Sequence, residues 1–247
     1  MQEMHHKLIW VVLLTLYLIA FPSIGKEKEL YQSAINNQDR LASDLQYDSK
    51  RKPAEILPFT QIGKGNRVLE LGAGGGYTTE LLARTVGDTG KVFAHFLYDK
   101  ERLKDNRLPN VVPMREHSLH DLAEVLTELK IEDSQLDAVV VFFVLHDIYL
   151  NNEMSDALLT TLHGALKPGG KFIILDNAAR ADSGLTHIGD LHRIGEDFVI
   201  SVMTEAGFKF DAQSNVLRNE ADDRTKPWGD FKGLQDRFAF RFVKPED

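Results

Sequence analysis

The sequence predicts an α/β fold in which a mostly parallel, doubly wound sheet carries helices on both faces. Three observations support this prediction. Short apolar runs alternate with segments of helical periodicity, as in strands joined by crossover helices. The first run continues through a glycine-rich turn into a helix, and no repeat or second apolar core divides the 247 residues. We therefore expect one main domain with its ligand site at the carboxyl ends of the strands.

Five apolar runs are predicted to be strands, and four or five of them have the pattern typical of burial on both faces. They are Val68–Leu71, Val92–Phe96, Val111–Met114, Ala138–Leu145 and Phe172–Leu175. Between them, Leu122 to Leu129 has helical spacing behind a predicted cap at Asp121. A further helix from Met154 to Ala165 is expected to stop at Lys167–Gly170.

The last third of the chain has a different pattern. A predicted helix from Asp197 to Ala206 ends at Gly207. Two predicted strands, Phe208–Leu217 and Phe238–Phe242, follow on either side of a long polar loop. We expect these two strands to pair antiparallel at the edge of the sheet.

Composition and charge narrow the range of functions. With 43% apolar and 27% charged residues, the chain has the composition of a globular domain. A net charge of −8 argues against nucleic acid as a partner, because phosphate backbones are bound through lysine and arginine clusters. The absence of cysteine excludes disulfides, thiolate metal sites and a cysteine nucleophile.

The N-terminus has the pattern of an export signal. The run from Leu8 to Phe21 is apolar except for Thr15, and Pro22 follows it. This run is shorter than the about 20 residues of a membrane-spanning helix. We predict cleavage near Lys26 and a periplasmic or secreted protein, with an uncleaved anchor or a core helix as alternatives. Only an uncleaved signal would bring the chain to a membrane. The predicted organisation is a signal peptide at 1–25, an N-terminal helical lid at 26–58 and the main domain at 59–247.

The glycine turn, residues 72–76, is the most informative segment. Glycines after a buried strand allow the backbone to approach a nucleotide-like cofactor closely. The dinucleotide pattern G-x-G-x-x-G fails, since its sixth position is Tyr77. Glu70 places a carboxylate beside the turn, which suits a cationic cofactor such as S-adenosylmethionine better than a pyrophosphate. The alternative is a tight turn that binds no ligand.

The sequence resembles the class I S-adenosylmethionine-dependent methyltransferases. Three blocks carry the resemblance: VLELGAGGGYTTELLA, DAVVVFFVLHDIY and LKPGGKFIILD. The segments HRIGEDFV, AGFKF and LRNEADDRTKP resemble a narrower group of exported bacterial predicted methyltransferases. The resemblance implies a methyltransferase domain with a Rossmann-like, seven-stranded sheet, five parallel strands plus a reversed hairpin. It also implies that cofactor contacts come from Glu70, Gly72, Ala73, Gly74 and Gly76.

The chain departs from that family at the ribose position. The family usually ends its second strand with an acidic residue, whereas here no acid follows until Asp99. A lost bidentate carboxylate costs on the order of a few kcal/mol when ribose hydroxyls stay unpaired. Glu116, after the third strand, is a candidate adenine contact.

Candidate catalytic residues follow the fourth and fifth strands. Methyl transfer needs a positioned nucleophile and, for some acceptors, a base. We propose His146, Asp147, Asp176 and His192 for these roles. The alternative for His146 is that it caps a turn or packs against the cofactor. No metal is predicted, since His187 and His192 lack helical ligand spacing, although a metal role for His146 or Asp176 stays open.

Two further segments have ordinary structural interpretations. Arg193 is expected either to join the site or to pair with an acidic neighbour. The charged run from Glu220 to Trp228 is expected to be a solvated loop. The alternative is that it forms a flap on the substrate side, with Trp228 as an apolar wall.

Three functional hypotheses result. The first is a methyltransferase that uses S-adenosylmethionine on a small-molecule or envelope acceptor. The second is a catalytically degenerate ligand-binding protein of the same fold, motivated by Phe96 at the ribose position. The third, a nicotinamide oxidoreductase, is disfavoured by Tyr77.

Overall fold

A computed structural model describes residues 22–99, 101–114, 118–131, 133–231 and 233–246. The α-helices are α1 Pro22–Ile35, α2 Ala42–Leu45, α3 Asp48–Arg51, α4 Pro53–Thr60, α5 Tyr77–Val86, α6 Leu122–Glu128, α7 Leu145–Leu150, α8 Asp156–Ala165 and α9 Glu196–Glu205. The strands are β1 Arg67–Leu71, β2 Lys91–His95, β3 Val111–Met114, β4 Leu136–Phe142, β5 Leu166–Asn177, β6 Lys209–Ser214 and β7 Arg237–Val243.

All seven strands form one sheet in the order β3-β2-β1-β4-β5-β7-β6. Strands β1 to β5 run parallel, and β7 pairs antiparallel with both β5 and β6. The predicted parallel sheet and the reversed edge hairpin are confirmed. Strand order reverses between β1 and β4, and the carboxyl ends of strands at such a point form a crevice where ligands bind.

Helices cover both faces of this sheet. One apolar layer lies between the sheet and α6, α8 and α9, with Leu69 and Val139 on its sheet side. The second layer lies between the sheet and α4 and α5, with Val68 and Val140 on its sheet side. Successive residues of β1 and β4 therefore point into opposite layers, which explains why these runs are continuously apolar.

Several predicted boundaries are wrong. Leu145, predicted to end a strand, begins α7, and β5 begins at Leu166, before the predicted strand Phe172–Leu175. The predicted helix end before Lys167–Gly170 is confirmed, since α8 ends at Ala165. Met154, predicted to lie in a helix, precedes α8. Ser155 caps the N-terminus of α8, because its hydroxyl accepts a hydrogen bond from the amide of Leu158 at 3.2 Å. The Asp121 side chain makes no cap hydrogen bond. These errors occur where a local hydrogen bond or strand pairing, rather than periodicity, sets the end of an element.

Helices α1 to α4 occupy the region predicted to be a helical lid. Helix α1 packs against α4 and α5. Arg102 joins this region to the domain, since its guanidinium lies 2.6 Å from Asp44 and 2.7 Å from Glu80. None of the helices in the described ranges has the length and apolarity needed to span a bilayer. The predicted signal peptide falls largely outside the described residues, and its cleavage stays a prediction.

Candidate functional site

A cavity of about 510 Å³ lies at the carboxyl ends of the central strands. Its lining residues are Gly72, His95, Phe96, Ser118, Leu119, Val144, Asp147, Ile148, Asn151 and Glu153. They come from the ends of β1 and β2, the segment after β3, and α7 with the turn that follows it. Cavities of this size at a point where strand order reverses are typical of cofactor sites.

The glycine turn after β1 is shaped by close backbone contacts. Gly72 has a φ of 71°, and a Cβ added there would lie 2.5 Å from Cγ1 of Val144, so the position accepts only glycine without rearrangement. The amide of Ala73 donates to the carbonyl of His95 at 2.8 Å, and that of Gly74 donates to Phe96 at 3.2 Å. The turn is thereby fixed against the end of β2, beside the cavity.

Glu70 lies in β1 beneath this turn and is buried. Its carboxylate accepts a hydrogen bond from the Thr79 hydroxyl at 2.5 Å. Burial raises the pKa of Glu70 to about 7, and the Thr79 hydrogen bond and the charges of Arg102 and Arg51 only partly oppose this shift. A positively charged group of a ligand near Glu70 would stabilise the ionised carboxylate.

Phe96, rather than an acidic residue, follows the end of β2 in the structure. Phe96 follows β2 with a φ of 59°, and 56% of its surface is exposed at the cavity. Asp99 does not line the cavity. Its Oδ1 atom accepts a hydrogen bond from the Glu101 amide at 3.0 Å, and its Oδ2 atom lies 4.0 Å from Arg102. Glu116, the candidate adenine contact, lies outside the described residues.

His146 and Asp176 form a buried pair where α7 meets the end of β5. Nδ1 of His146 lies 2.8 Å from Oδ1 of Asp176, and the His146 amide donates to Oδ2 at 3.0 Å. Burial alone would lower the pKa of His146, but the charge and hydrogen bond of Asp176 outweigh burial and raise it above the ordinary histidine value. Since Asp176 accepts the Nδ1 proton, Nε2 is the nitrogen that carries the lone pair of the neutral ring.

Asp147 connects this pair to His192. Its carboxylate lies 3.4 Å from Nε2 of His146 and 3.4 Å from Nδ1 of His192. The two imidazole rings are 5.3 Å apart and nearly perpendicular. The structure therefore brings together all four residues that were predicted as catalytic. Their chemical roles stay predictions.

His192 is held by an unusual backbone. Its φ is 52°, a left-handed conformation that is uncommon outside glycine. The Asn177 side chain donates to the His192 carbonyl at 3.0 Å, and the Arg193 amide donates to the His187 carbonyl at 3.1 Å. Neighbouring residues of β5 thus position both histidines, Asp176 through the ring of His146 and Asn177 through the backbone of His192. His187 does not join the cluster and pairs with Asp190 at 3.1 Å.

Arg193 points away from the cluster. Its buried guanidinium lies 2.8 Å from the carboxylate of Asp222, and it also donates to the carbonyls of Ala178 and Lys226 at 3.0 Å. The prediction that residues 220–228 form a solvated loop is therefore wrong for Asp222, which is buried. Arg193 was expected either to join the site or to pair with an acidic neighbour, and the structure shows the pairing, with Asp222. The Trp228 side chain lies outside the described part of the chain.

Sequence reasoning missed three residues at this edge of the sheet. His95 lines the cavity, and its Nδ1 atom lies 3.4 Å from the Gly72 amide nitrogen, where it accepts a hydrogen bond. Its position at the end of β2 was the available signal. Arg51 and Arg237 have guanidinium carbons 5.4 Å and 4.6 Å from the centre of the Phe143 ring. Their distance apart in the sequence gave no signal that they meet.

Together, the parallel sheet, the glycine turn and the adjoining cavity define a class of α/β proteins that bind nucleotide-like cofactors. Comparison with known sequences makes the assignment more specific. The profile of the family described as "Methyltransferase domain" matches residues 69–174, and that of protein-L-isoaspartate(D-aspartate) O-methyltransferase matches residues 23–101. Each match covers less than half of the chain, and together they support the similarity to class I S-adenosylmethionine-dependent methyltransferases that the sequence predicted.

Individual relatives are distant. A ubiquinone/menaquinone biosynthesis C-methyltransferase UbiE from Hydrogenovibrio crunogenus is 27% identical over 157 residues, which is 62% of this chain and 59% of that protein. Phosphoethanolamine N-methyltransferase 1 from Triticum aestivum is 34% identical over 145 residues, which is 56% of this chain and 26% of that protein. The chain thus covers less than two thirds of either relative.

A solved structure supports the fold. A SAM-dependent methyltransferase from Aquifex aeolicus has a TM-score of 0.57 and 19% identity, covering 89% of this chain and 97% of that one. The Rossmann-like methyltransferase fold is therefore confirmed.

Proposed function

We propose that this protein transfers a methyl group from S-adenosylmethionine to a small-molecule or envelope acceptor bound near His146. One observation carries the proposal. The cavity extends from Gly72 in the cofactor turn to Asp147 in the histidine cluster, so a single opening adjoins the predicted cofactor and acceptor residues. Binding a donor and an acceptor side by side is the main requirement for methyl transfer.

The residues fit the methionine end of the cofactor. Gly72 of the turn lines the cavity, and Glu70 supplies a carboxylate near the turn for an ammonium group. At the ribose end, Phe96 offers an apolar ring where the family usually supplies a carboxylate. We infer that ribose hydroxyls here contact other cavity groups, such as His95 or Ser118, or water.

The cofactor supplies a methyl carbon that is activated by a sulfonium. When bound, it would allow an acceptor atom to form a bond to this carbon as the carbon–sulfur bond breaks, with S-adenosylhomocysteine as the leaving group. A proton carried by the acceptor would pass to Nε2 of His146, whose Nδ1 proton is held by Asp176. Asp176 is then a positioning residue, since it acts through the imidazole.

The two relatives are named for different acceptors. One relative is named for C-methylation in quinone biosynthesis and the other for N-methylation of phosphoethanolamine. Export to the periplasm or medium is a further part of the proposal, supported by the apolar run from Leu8 to Phe21.

A second candidate is a ligand-binding protein that retains the fold without turnover. Phe96 supports it, because an exposed aromatic ring replaces the carboxylate expected at the ribose position. Calorimetric titration of the full chain with S-adenosylmethionine and S-adenosylhomocysteine tests both candidates. Micromolar binding together with methyl transfer supports the enzyme, binding without transfer to any of a broad acceptor panel supports the second candidate, and no binding by folded protein rejects the proposal.

A further inference from the structure

We propose that His146, Asp147 and His192 form a binding site for a divalent transition-metal ion such as Zn²⁺. One ligand atom from each of these residues lies within 4.8 Å of the others. Two imidazoles and one carboxylate are an established ligand set for zinc sites that keep an open coordination position. The metal site itself does not depend on the proposed function. A role for the metal in binding the methyl acceptor rests on that function.

Distances within the cluster approach those of a metal centre. With zinc–ligand bonds of about 2.0–2.1 Å, neighbouring ligand atoms of a tetrahedron lie roughly 3.3 Å apart. Oδ2 of Asp147 lies 3.4 Å from Nε2 of His146, and Oδ1 of Asp147 lies 3.4 Å from Nδ1 of His192. A small rotation of the Asp147 side chain would direct one oxygen at an ion shared with both rings.

His146 is already oriented as a metal ligand. Metal-binding histidines usually donate their other ring N–H to a carboxylate or carbonyl, which fixes the tautomer. Asp176 accepts this proton at 2.8 Å, so the Nε2 lone pair points toward the cluster. Asp176 is itself fixed by the amides of His146 and Asn177, at 3.0 Å and 2.7 Å.

The second histidine is also held in place. His192 keeps a left-handed backbone that costs conformational energy, and Asn177 donates to its carbonyl at 3.0 Å. The adjacent Arg193 does not compete for the site, since its guanidinium pairs with Asp222. The carboxylates of Asp147 and Asp176 would balance the two positive charges of the ion.

A bound cation would change one part of the proposed function, since His146 would act as a metal ligand in place of the proton acceptor assigned above. Asp147 lines the cavity, so an ion at this cluster would present its open position to an acceptor there. An acceptor with a hydroxyl or enol oxygen would bind through that oxygen. The cation would lower the pKa of this oxygen, so that its proton leaves to solvent and His146 serves as ligand rather than base.

The experiment is a metal titration of the full chain after treatment with EDTA and dialysis. Calorimetry should show one Zn²⁺ bound per chain, and Co²⁺ should give the visible absorption of low-coordinate cobalt. His192→Gly removes one ligand and suits the left-handed backbone, and Asp147→Asn removes another. Each should weaken Zn²⁺ binding at least tenfold. His187→Ala is the matched control, because it removes a nearby histidine that is paired with Asp190 instead.

The outcomes separate this inference from the proposed function. Zn²⁺ binding that is absent in the wild type, or unchanged in folded His192→Gly and Asp147→Asn, overturns the metal site. The same preparations are titrated with S-adenosylmethionine in EDTA, and loss of that binding bears only on the proposed function. Thermal unfolding of each variant establishes that it is folded before its affinity is compared.

Discussion

Nδ1 of His146 lies 2.8 Å from Oδ1 of Asp176, and both side chains are buried. This contact fixes the imidazole so that its other nitrogen faces Asp147. A buried carboxylate that holds a histidine in one tautomer is a common device for a ring that must accept a proton or bind a metal.

Substitution of this histidine should separate turnover from cofactor binding. We expect His146→Ala to lower kcat about 10²- to 10⁴-fold, the range for loss of a proton-accepting group, and to change S-adenosylmethionine affinity less than threefold. Steady-state kinetics on an identified acceptor and calorimetry give the two quantities, with His187→Ala as the control. An equal loss of both would make His146 a cofactor-binding residue.

Cofactor affinity should depend on pH through Glu70. Burial raises its pKa to about 7 from an ordinary value of 4.5, so the carboxylate that would attract an ammonium forms only as the pH rises through about 7. We expect affinity to increase several-fold between about pH 6 and about pH 8. Glu70→Gln should bind more weakly and lose this dependence. An unchanged affinity in Glu70→Gln would exclude the carboxylate from cofactor binding.

The same group should affect stability in the opposite direction. Its folded-state pKa exceeds its unfolded value, so its contribution to stability is full below about pH 4.5 and is lost as the pH rises through about 7. The shift corresponds to a loss of about 3 kcal/mol. Ligand-free Glu70→Gln should therefore unfold at higher denaturant than the wild type at about pH 8, and the difference should shrink at about pH 5. A wild type that is at least as stable as the variant at about pH 8 would contradict this.

The central part of the fold could be predicted because its signals are local. Continuous apolar runs required burial on both faces, and Gly72 marked the turn that approaches Val144. The four catalytic candidates also came from local positions, since residues after parallel strands meet at one edge of the sheet.

Contacts between distant segments could not be predicted in this way. Nothing in the sequence pairs Arg193 with Asp222, or joins Asn177 to the carbonyl of His192. The meeting of His146, Asp147 and His192 also depends on how the segment after β5 folds back, which spacing along one helix cannot reveal. Sequence reasoning for that reason did not predict a metal site.

Phe96 distinguishes the two candidate functions. If the enzyme binds ribose without a carboxylate, Phe96→Asp should change S-adenosylmethionine affinity less than threefold. Aspartate tolerates the left-handed backbone at this position better than most residues, so the fold should persist. Calorimetry of the variant beside the wild type decides the matter. A gain of tenfold or more would favour a degenerate binding protein that has lost its ribose contact.

Gly72 should be intolerant of any side chain. Gly72→Ala places a methyl group 2.5 Å from Cγ1 of Val144 and imposes a positive φ on alanine. We expect a loss of about 2 kcal/mol in unfolding free energy and weaker cofactor binding. Adding Val144→Ala should relieve the clash but not the backbone cost, so the double variant should lose less than the two single changes together. Strict additivity in urea denaturation would show that the two residues do not interact.

The Arg193–Asp222 pair should stabilise the segment that carries His192. Both side chains are fully buried, so Asp222→Ala leaves an uncompensated guanidinium in the interior. We expect a loss of about 3–5 kcal/mol in unfolding free energy. Asp222→Ala combined with Arg193→Met removes both charges and should recover much of this loss. Urea denaturation of Asp222→Ala, Arg193→Met and the double variant measures the coupling. An exposed control, Asp190→Asn, should stay within about 0.5 kcal/mol of the wild type. If Asp222→Ala costs no more than the control, the pair is not a structural anchor for the His192 segment.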